Sequence, residues 1–251
     1  MTGFRKVALA LAIAPLALGL SACKKEAADS AGLSGEPIAK IAAPAGKSWA
    51  DTVSVTPEGG YLMGNPNAPI KMIEYGALSC SHCAEFSEKG SAELRDSFVA
   101  SGRVSYELRF FMLNQLDVPA VQLATCGGSP EAVIPLSEQF WAWQKTMFQN
   151  LQAAGQDKMQ AVSQLPPAQR FGALAQLAGM DQFFAARGIA ADQAKACLAD
   201  VAKAERLVAT ANEQGQKYDI TGTPTFFVNG KKLDMNTWEA IKPELERLGA
   251  R

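Results

Sequence analysis

Two cysteines separated by two residues carry the strongest chemical signal in this chain. The stretch Cys80-Ser81-His82-Cys83 follows a strand-like run at 70–75 and opens a helix-like run at 84–99, so both thiols should lie at a helix N-terminus. Unpaired N–H groups and the helix dipole favour a thiolate there, and the thiolate is the form of cysteine that reacts. Two cysteines at this spacing can also close a small disulfide ring that another thiolate opens. The pattern therefore predicts thiol–disulfide redox chemistry.

A zinc site or a buried structural pair is the alternative interpretation of the same two cysteines. Zinc would need two further ligands. His82 is the only histidine of the chain, and the sequence holds no second pair of closely spaced cysteines. We therefore predict a redox-active pair and no metal site.

The N-terminal residues have the pattern of an export signal. Arg5 and Lys6 precede an apolar run at 7–20, and small residues then lead to Cys23. A short basic start, an apolar segment and a small-residue exit are typical of a secretory signal peptide. The apolar run is also short for a membrane-spanning helix, which needs roughly 20 residues. Residues 1–22 are therefore predicted to be a signal peptide.

The cysteine after this signal resembles the lipid-bearing cysteine of bacterial lipoproteins. The resemblance implies that Cys23 is the first residue of the mature protein and carries a lipid anchor. An ordinary signal peptide, in which Cys23 is incidental, is the alternative. Lys24 favours the outer membrane by resemblance to the sorting rule of enteric bacteria. Residues 23–48 are rich in small residues, Lys and Pro and are predicted to form a flexible tether. We thus expect a periplasmic protein anchored to a membrane.

Four cysteines remain when Cys23 is set aside, and an exported protein can keep disulfides. Four cysteines can pair in three ways. If proximity joins Cys80 to Cys83, then Cys126 and Cys197 are the remaining pair; two free buried thiols are the alternative. A crosslink between Cys126 and Cys197 would stabilise the fold by on the order of 4 kcal/mol in the chain-entropy model.

The charge balance gives no indication of a nucleic-acid surface. The formal net charge is −1 at pH 7, with 24 Lys and Arg against 25 Asp and Glu, whereas a nucleic-acid-binding domain shows a basic excess. The length after the signal suits one elaborated domain or two small ones. A hydrophobic fraction of 48% can supply a sizeable core.

The predicted elements surround the cysteine pair with a β-α-β unit, which requires parallel strands. Strands are expected near 49–55 and at 70–75, 104–111 and 222–228. A predominantly helical block lies between the last two. Its candidate segments are 119–126, 130–151, 166–178, 180–187 and 190–215. Asn229-Gly230 then predicts a hairpin turn, and a helix at 238–248 closes the chain.

This order of elements resembles the DsbA-like thioredoxin-fold oxidoreductases. The residues that carry the resemblance are the Cys-x-His-Cys signature at a helix start and the later segment Gly222-Thr223-Pro224-Thr225. The resemblance runs from residue 49 to the C-terminus. It implies an α/β thioredoxin fold, with a central mixed sheet flanked by helices, over 49–251. It also implies an inserted helical subdomain over about 117–216.

The same resemblance implies a role for each residue of the site. Cys80 would be the exposed nucleophile, and Cys83 its buried resolving partner. His82 would help to stabilise the Cys80 thiolate. Pro224 would be the cis-proline that lies against the cysteine pair, and Thr223 would offer backbone groups to a bound peptide.

Glu74 stands where the family often has a buried acid that modulates the cysteine pKa; a glutamate on the surface of a strand is the alternative. Two positions depart from many strong oxidases of the family, which carry Pro where this chain has Ser81 and Val where it has Thr223. These departures leave the direction of the reaction open.

The predicted activity is that of a thiol:disulfide oxidoreductase which donates the Cys80–Cys83 disulfide to the thiols of exported proteins. The resemblance implies re-oxidation by a DsbB-like membrane oxidase, and a monomeric protein with no cofactor besides the cysteine pair. One alternative is an isomerase or reductase kept reduced by a membrane donor. Another is a lipoprotein that binds client proteins without catalysis.

Overall fold

The computed structural model describes residues 1–2 and 35–251. Cys23 and nearly all of the predicted signal peptide, 1–22, lie outside the described residues. The same holds for residues 23–34 of the predicted tether. The domain is therefore described from residue 35 onward.

A mixed sheet organises the domain. Its strands, within the described part of the chain, are β1 (Val53–Val55), β2 (Tyr61–Gly64), β3 (Ile70–Gly76), β4 (Val104–Phe110), β5 (Thr225–Val228) and β6 (Lys231–Lys232). They lie in the order β1-β2-β4-β3-β5-β6. β3 and β4 are parallel, and the other neighbouring pairs are antiparallel. The parallel pair that the sequence predicts around the cysteines is confirmed.

Helices cover this sheet and form a subdomain between β4 and β5. In the described residues they are α1 (Ser81–Glu93), continued by a π-helical turn over Leu94–Val99, α2 (Asp117–Ala124), α3 (Pro130–Ala154), α4 (Gln156–Ser163), α5 (Pro167–Ala178), α6 (Met180–Ala185), α7 (Ala191–Ala199), α8 (Val201–Lys217) and α9 (Trp238–Arg247). The predicted thioredoxin fold with a helical insertion is thus confirmed. No helix of residues 35–251 combines the length and the apolar character needed to cross a bilayer.

The helical insertion differs from the sequence prediction in its details. The segment predicted at 190–215 is broken at Asp200, whose backbone leaves the helical region (φ −76°, ψ 82°) and whose side chain accepts from the backbone N–H of Lys203 at 2.8 Å. Asp200 thereby caps α8 and separates it from α7. α2 begins before Pro119, because a proline is tolerated in the first helical turn, where N–H groups have no partner. The sequence did not indicate α4 or β2.

Residues 35–41 are bound to the domain by backbone hydrogen bonds. Gly35 donates to Arg247, Ile38 to Gly249 and Ile41 to Ser101, each at 2.9 Å. This part of the chain therefore lies against the domain, whereas the sequence predicts a flexible tether there.

Gly90 allows α9 to approach α1 closely. A Cβ at position 90 would come within 2.8 Å of the Trp238 ring, so only glycine leaves room for this contact. Trp238 also packs edge-on against Phe86 and Phe98, and its Nε1 donates to Glu93 at 2.9 Å. These contacts hold the start of α9 against α1.

A disulfide joins Cys126, just after α2, to Cys197 on α7, with 5.9 Å between the Cα atoms. The bond lies within the helical insertion and fastens two of its helices. The other pair, Cys80 and Cys83, consists of free thiols.

Replacing both Cys126 and Cys197 by serine should lower the free energy of unfolding by about 4 kcal/mol in the chain-entropy model. The reason is that the crosslink closes a long loop, with a sequence separation of 71 residues. Denaturant unfolding without reductant measures the difference. In a strong reductant the two proteins should unfold alike. Equal stabilities without reductant would contradict the prediction.

Candidate active site

Cys80 occupies the position just before the first turn of α1. Its backbone is extended (φ −83°, ψ 120°), and its sulfur accepts a hydrogen bond from the backbone N–H of Cys83 at 3.3 Å. A side chain at this position normally satisfies one of the unpaired N–H groups of a helix start. Here the acceptor is a sulfur, so the capping interaction favours the thiolate.

The two thiols have very different environments. Hydrogen bonding from the Cys83 thiol is the main cause that lowers the pKa of Cys80, to about 6; backbone N–H groups of Cys83 and His82 add to it, while burial opposes it. Burial raises the pKa of Cys83 well above its usual value. Cys83 is fully buried, and Cys80, predicted to be exposed, keeps only 6% of its surface accessible. Cys80 is therefore both the more acidic and the more accessible thiol.

The Thr223–Pro224 segment lies directly against Cys80. The Thr223–Pro224 peptide bond is cis. The Cys80 sulfur is 3.2 Å from the Thr223 carbonyl oxygen, to which its thiol donates, although the two residues are 143 positions apart in the chain. The antiparallel pairing of β5 with β3, in which Thr225 opposes Tyr75, brings this segment to the end of the strand that leads to Cys80.

Glu74 is completely buried beneath the site. The sequence left open whether Glu74 lies inside or on the surface. It is inside because β3 is paired on both sides and because Glu74 lies on the face of β3 on which Ile70 and Met72 are also buried. Tyr106 donates to its Oε2 at 2.7 Å, and no described residue pairs with Oε1. Burial raises the pKa of Glu74 to about 8. Its charge in turn helps to raise the pKa of Cys83.

The imidazole of His82 points away from the pair. It is 72% exposed, and its Nδ1 lies 3.7 Å from Glu85. The contribution of this residue to the Cys80 thiolate comes through its backbone N–H. The role that the resemblance implies for the imidazole itself stays a prediction.

A buried carboxylate holds the loop before Cys80. Asp117, at the start of α2, accepts from the N–H and the hydroxyl of Ser79 at 2.8 and 3.0 Å. It also accepts from the backbone N–H groups of Leu113 and Asn114 at 2.9 and 3.0 Å. The sequence did not single out this residue, because an aspartate at a helix start is ordinarily a local cap.

The third helix holds the same loop from the other side. Gln144 of α3 donates from Nε2 to the carbonyl oxygens of Leu78 and Cys80, at 2.7 and 3.1 Å. Trp141 donates from Nε1 to the carbonyl of Ala77 at 3.0 Å. The loop 77–80 is thus bound by side chains of both α2 and α3.

The arrangement suits thiol–disulfide exchange. One thiol is stabilised as an anion at a helix start, the other is held neutral in the interior, and a cis-proline segment lies beside them. Within residues 35–251, no group of three or more His, Cys, Asp and Glu side chains lies close enough together to hold a metal ion.

Known proteins are similar in sequence to most of this domain. A family model described as Thioredoxin matches residues 56–247. A provisionally named protein-disulfide oxidoreductase of Rickettsia bellii is 24% identical over 190 residues, which cover 76% of this chain and 64% of that protein. The chain spans about three fifths of the length of the curated Rickettsia relatives that it matches.

Solved structures share the fold. The structure of a protein-disulfide isomerase from Novosphingobium aromaticivorans superposes on this one with a TM-score of 0.71. The two sequences are 28% identical, and the match covers 76% of this chain and 97% of the other. The structure of alpha-DsbA1 from Wolbachia pipientis, which is 20% identical in sequence, superposes with a TM-score of 0.61. This match covers 75% of this chain and 89% of the other. With a family model that matches most of its length, the chain belongs to the thioredoxin family and has the fold of the DsbA-like members.

Proposed function

We propose that this protein is a thiol:disulfide oxidoreductase that exchanges a Cys80–Cys83 disulfide with protein thiols. The observation that carries the proposal is the inequality of the two sulfurs. The pKa of Cys80 is lowered to about 6, and that of Cys83 is raised. An exchange catalyst needs one sulfur that is attacked and later leaves easily, and a second that completes the pair.

The exchange balances in two steps. A substrate thiolate attacks the Cys80 sulfur of the disulfide, a substrate–Cys80 bond forms, and Cys83 leaves and takes up a proton. A second substrate thiolate then attacks the substrate sulfur of this mixed disulfide, and Cys80 leaves as a thiolate. The substrate gains a disulfide, and the pair gains two electrons. The low pKa of Cys80 favours its departure in the second step.

We propose that Glu74, whose charge influences the pKa of Cys83, supplies the proton that Cys83 takes up. Burial holds the pKa of Glu74 at about 8, so its carboxyl group is largely protonated near neutral pH. Its charge acts on Cys83, and an ionised Glu74 would disfavour the Cys83 thiolate. Proton transfer to Cys83 would ionise Glu74 at the moment when Cys83 becomes neutral.

The stabilised Cys80 thiolate favours the direction of a disulfide donor. Stabilising the reduced form makes the pair more oxidising. The alternative is an isomerase or reductase, and it is supported by the name of the Novosphingobium protein, a protein-disulfide isomerase. The two directions differ in the equilibrium of the pair and not in its chemistry.

A groove beside the pair is large enough for part of a polypeptide substrate. It has a volume of about 830 Å³ and runs between α1 and α3, from Ser81, next to Cys80, to Phe148. Phe148 is 40% exposed and gives the groove an apolar end. This supports protein or peptide thiols, and not only small thiols, as substrates.

The proposed setting is the periplasm of a bacterium. The Cys126–Cys197 disulfide supports an oxidising compartment. We propose that the protein is a monomer held at a membrane by a lipid on Cys23, and that a DsbB-like oxidase restores its disulfide. The cysteine pair would be its sole electron carrier, without a separate cofactor.

Titration of the reduced protein should reveal a thiolate with a midpoint near pH 6, because hydrogen bonds lower the pKa of Cys80 to about 6. The Cys83→Ala variant should titrate at higher pH, since the Cys83 thiol is the main donor. Thiolate absorbance against pH measures both. The Cys80→Ala variant, as control, should lack the transition. A wild-type midpoint near 9.0, the ordinary pKa of a cysteine thiol, would contradict the assignment.

Glu74→Gln should flatten the dependence of stability on pH. The pKa of Glu74 is about 8 in the folded protein, whereas an unperturbed glutamate, as in the unfolded chain, has a pKa of 4.5. Between these values the folded state binds more protons, so the free energy of unfolding should fall as pH rises. Urea unfolding at a series of pH values measures the slope. The exposed Glu88→Gln, which also removes one carboxylate, should keep the wild-type slope. If Glu74→Gln kept the wild-type slope, a raised pKa of Glu74 would be ruled out as a cause of the pH dependence of stability.

The oxidised protein should transfer its disulfide to a reduced, unfolded protein that contains two cysteines. Cys83→Ala, activated as a mixed disulfide, should retain a crosslinked client through Cys80, and Cys80→Ala should not. Mass spectrometry of the products detects both species. In glutathione buffers, a potential near or above about −180 mV indicates a donor, and one near about −270 mV indicates a reductase.

Two results would count against this function. Client proteins that bind equally well without any mixed disulfide would favour the non-catalytic client-binding lipoprotein. A Cys80–Cys83 pair that never exchanges with glutathione would exclude oxidoreductase activity in either direction.

A further inference from the structure

Asp117 has a buried carboxylate that accepts four hydrogen bonds and takes no part in the exchange step itself. The residue has no accessible surface. Its carboxylate accepts two bonds from Ser79 and one each from the N–H groups of Leu113 and Asn114. A buried carboxylate is costly unless it is fully hydrogen-bonded, and here each bond is also charge-assisted. These four bonds join three parts of the chain, which is more than the capping of α2 would require.

We propose that Asp117 is a positioning residue of the redox pair: it ties Ser79, the residue before Cys80, to the loop that begins the helical insertion. The role rests on the proposed exchange function. Asp117 acts through Ser79, since among the described residues its hydrogen bonds reach Ser79, Leu113 and Asn114 but neither sulfur. Asn114 reinforces the tie, because its Nδ2 donates to the Ser79 hydroxyl at 2.7 Å.

Cys80 needs such support because it stands outside the helix. The Cys83 N–H stabilises the thiolate and must lie within reach of the Cys80 sulfur, at 3.3 Å, whereas the Thr223 carbonyl, at 3.2 Å, accepts from the protonated thiol. Hydrogen bonds weaken steeply with distance and misalignment. A small shift of the loop 77–80 would therefore weaken the bonds that stabilise the thiolate.

Only a carboxylate fits the four donors. Oδ1 faces the Ser79 N–H, and Oδ2 faces the Ser79 hydroxyl and the N–H groups of Leu113 and Asn114. An asparagine has one acceptor oxygen and one NH₂ group. In either orientation its NH₂ would face at least one backbone N–H. Asn at this position therefore breaks the tie with almost no change of volume.

Asp117→Asn should raise the titration midpoint of Cys80 by about one pH unit, a tenfold change in its ionisation equilibrium. Thiolate absorbance against pH in the reduced protein measures it. A purely electrostatic influence would have the opposite sign, because removing a negative charge stabilises a nearby thiolate. The direction of the change therefore separates positioning from a through-space effect.

Gln122→Leu is the matched control on the same helix. Gln122 is also fully buried and donates to the carbonyls of Cys197 and Asp200, at 3.0 and 2.9 Å, away from the loop 77–80. Its replacement should lower stability and leave the Cys80 midpoint unchanged. If both variants moved the midpoint equally, general loosening would explain the effect and the proposal would be wrong.

Ser79→Ala provides a second test should Asp117→Asn fail to fold. It removes the hydroxyl that donates to Asp117 and keeps the backbone bond, so a smaller rise in the same direction is expected. A midpoint that is unchanged or lowered in the folded variants overturns the proposal. Exchange of the wild-type pair with glutathione tests the proposed function separately, since that measurement does not involve Asp117.

Discussion

The chemistry of this protein depends on the hydrogen bonds that reach the sulfur of Cys80. Cys80 and Cys83 are the same residue type, three positions apart, yet hydrogen bonds lower the pKa of the first to about 6 and burial raises the pKa of the second well above its usual value. The difference arises because the first sulfur caps α1 and receives donors, whereas the second points into the dry interior. A disulfide between two such unequal sulfurs is directional, with one sulfur that leaves easily and one that must be protonated.

The rest of the fold can be understood as support for those few bonds. β5 pairs with β3 and so carries Thr223 to the Cys80 sulfur. α2 and α3 hold the loop 77–80 through Asp117 and Gln144. The helical insertion is therefore more than a cover over the sheet, since two of its helices contact the residues that precede the pair. The Cys126–Cys197 disulfide fastens two helices of this insertion to each other.

Two buried acids near the site show how partners determine what a carboxyl group does. Glu74 has Tyr106 on one oxygen and no described partner on the other, so burial dominates and its pKa rises to about 8. Burial also raises the pKa of Asp117 above its usual value, but its four donors oppose this effect. The first is suited to hold and release a proton. The second is suited to hold its neighbours, because all the surrounding groups donate to a carboxylate.

Short-range patterns in the sequence determined the elements of this protein: two cysteines at a helix start, a β-α-β unit, a helical insertion and the Asn229-Gly230 turn. These features depend on residues a few positions apart, so periodicity and turn chemistry reveal them. Only the tertiary structure decided that Glu74 is buried and that Asp117 bonds Ser79, whereas Asp200 caps α8 through a local bond to Lys203, three residues along the chain. For Glu74 and Asp117 the physical reason is that a polar side chain takes its character from partners distant in sequence. The packing of strands and helices, and no local pattern, brings those partners within hydrogen-bond distance.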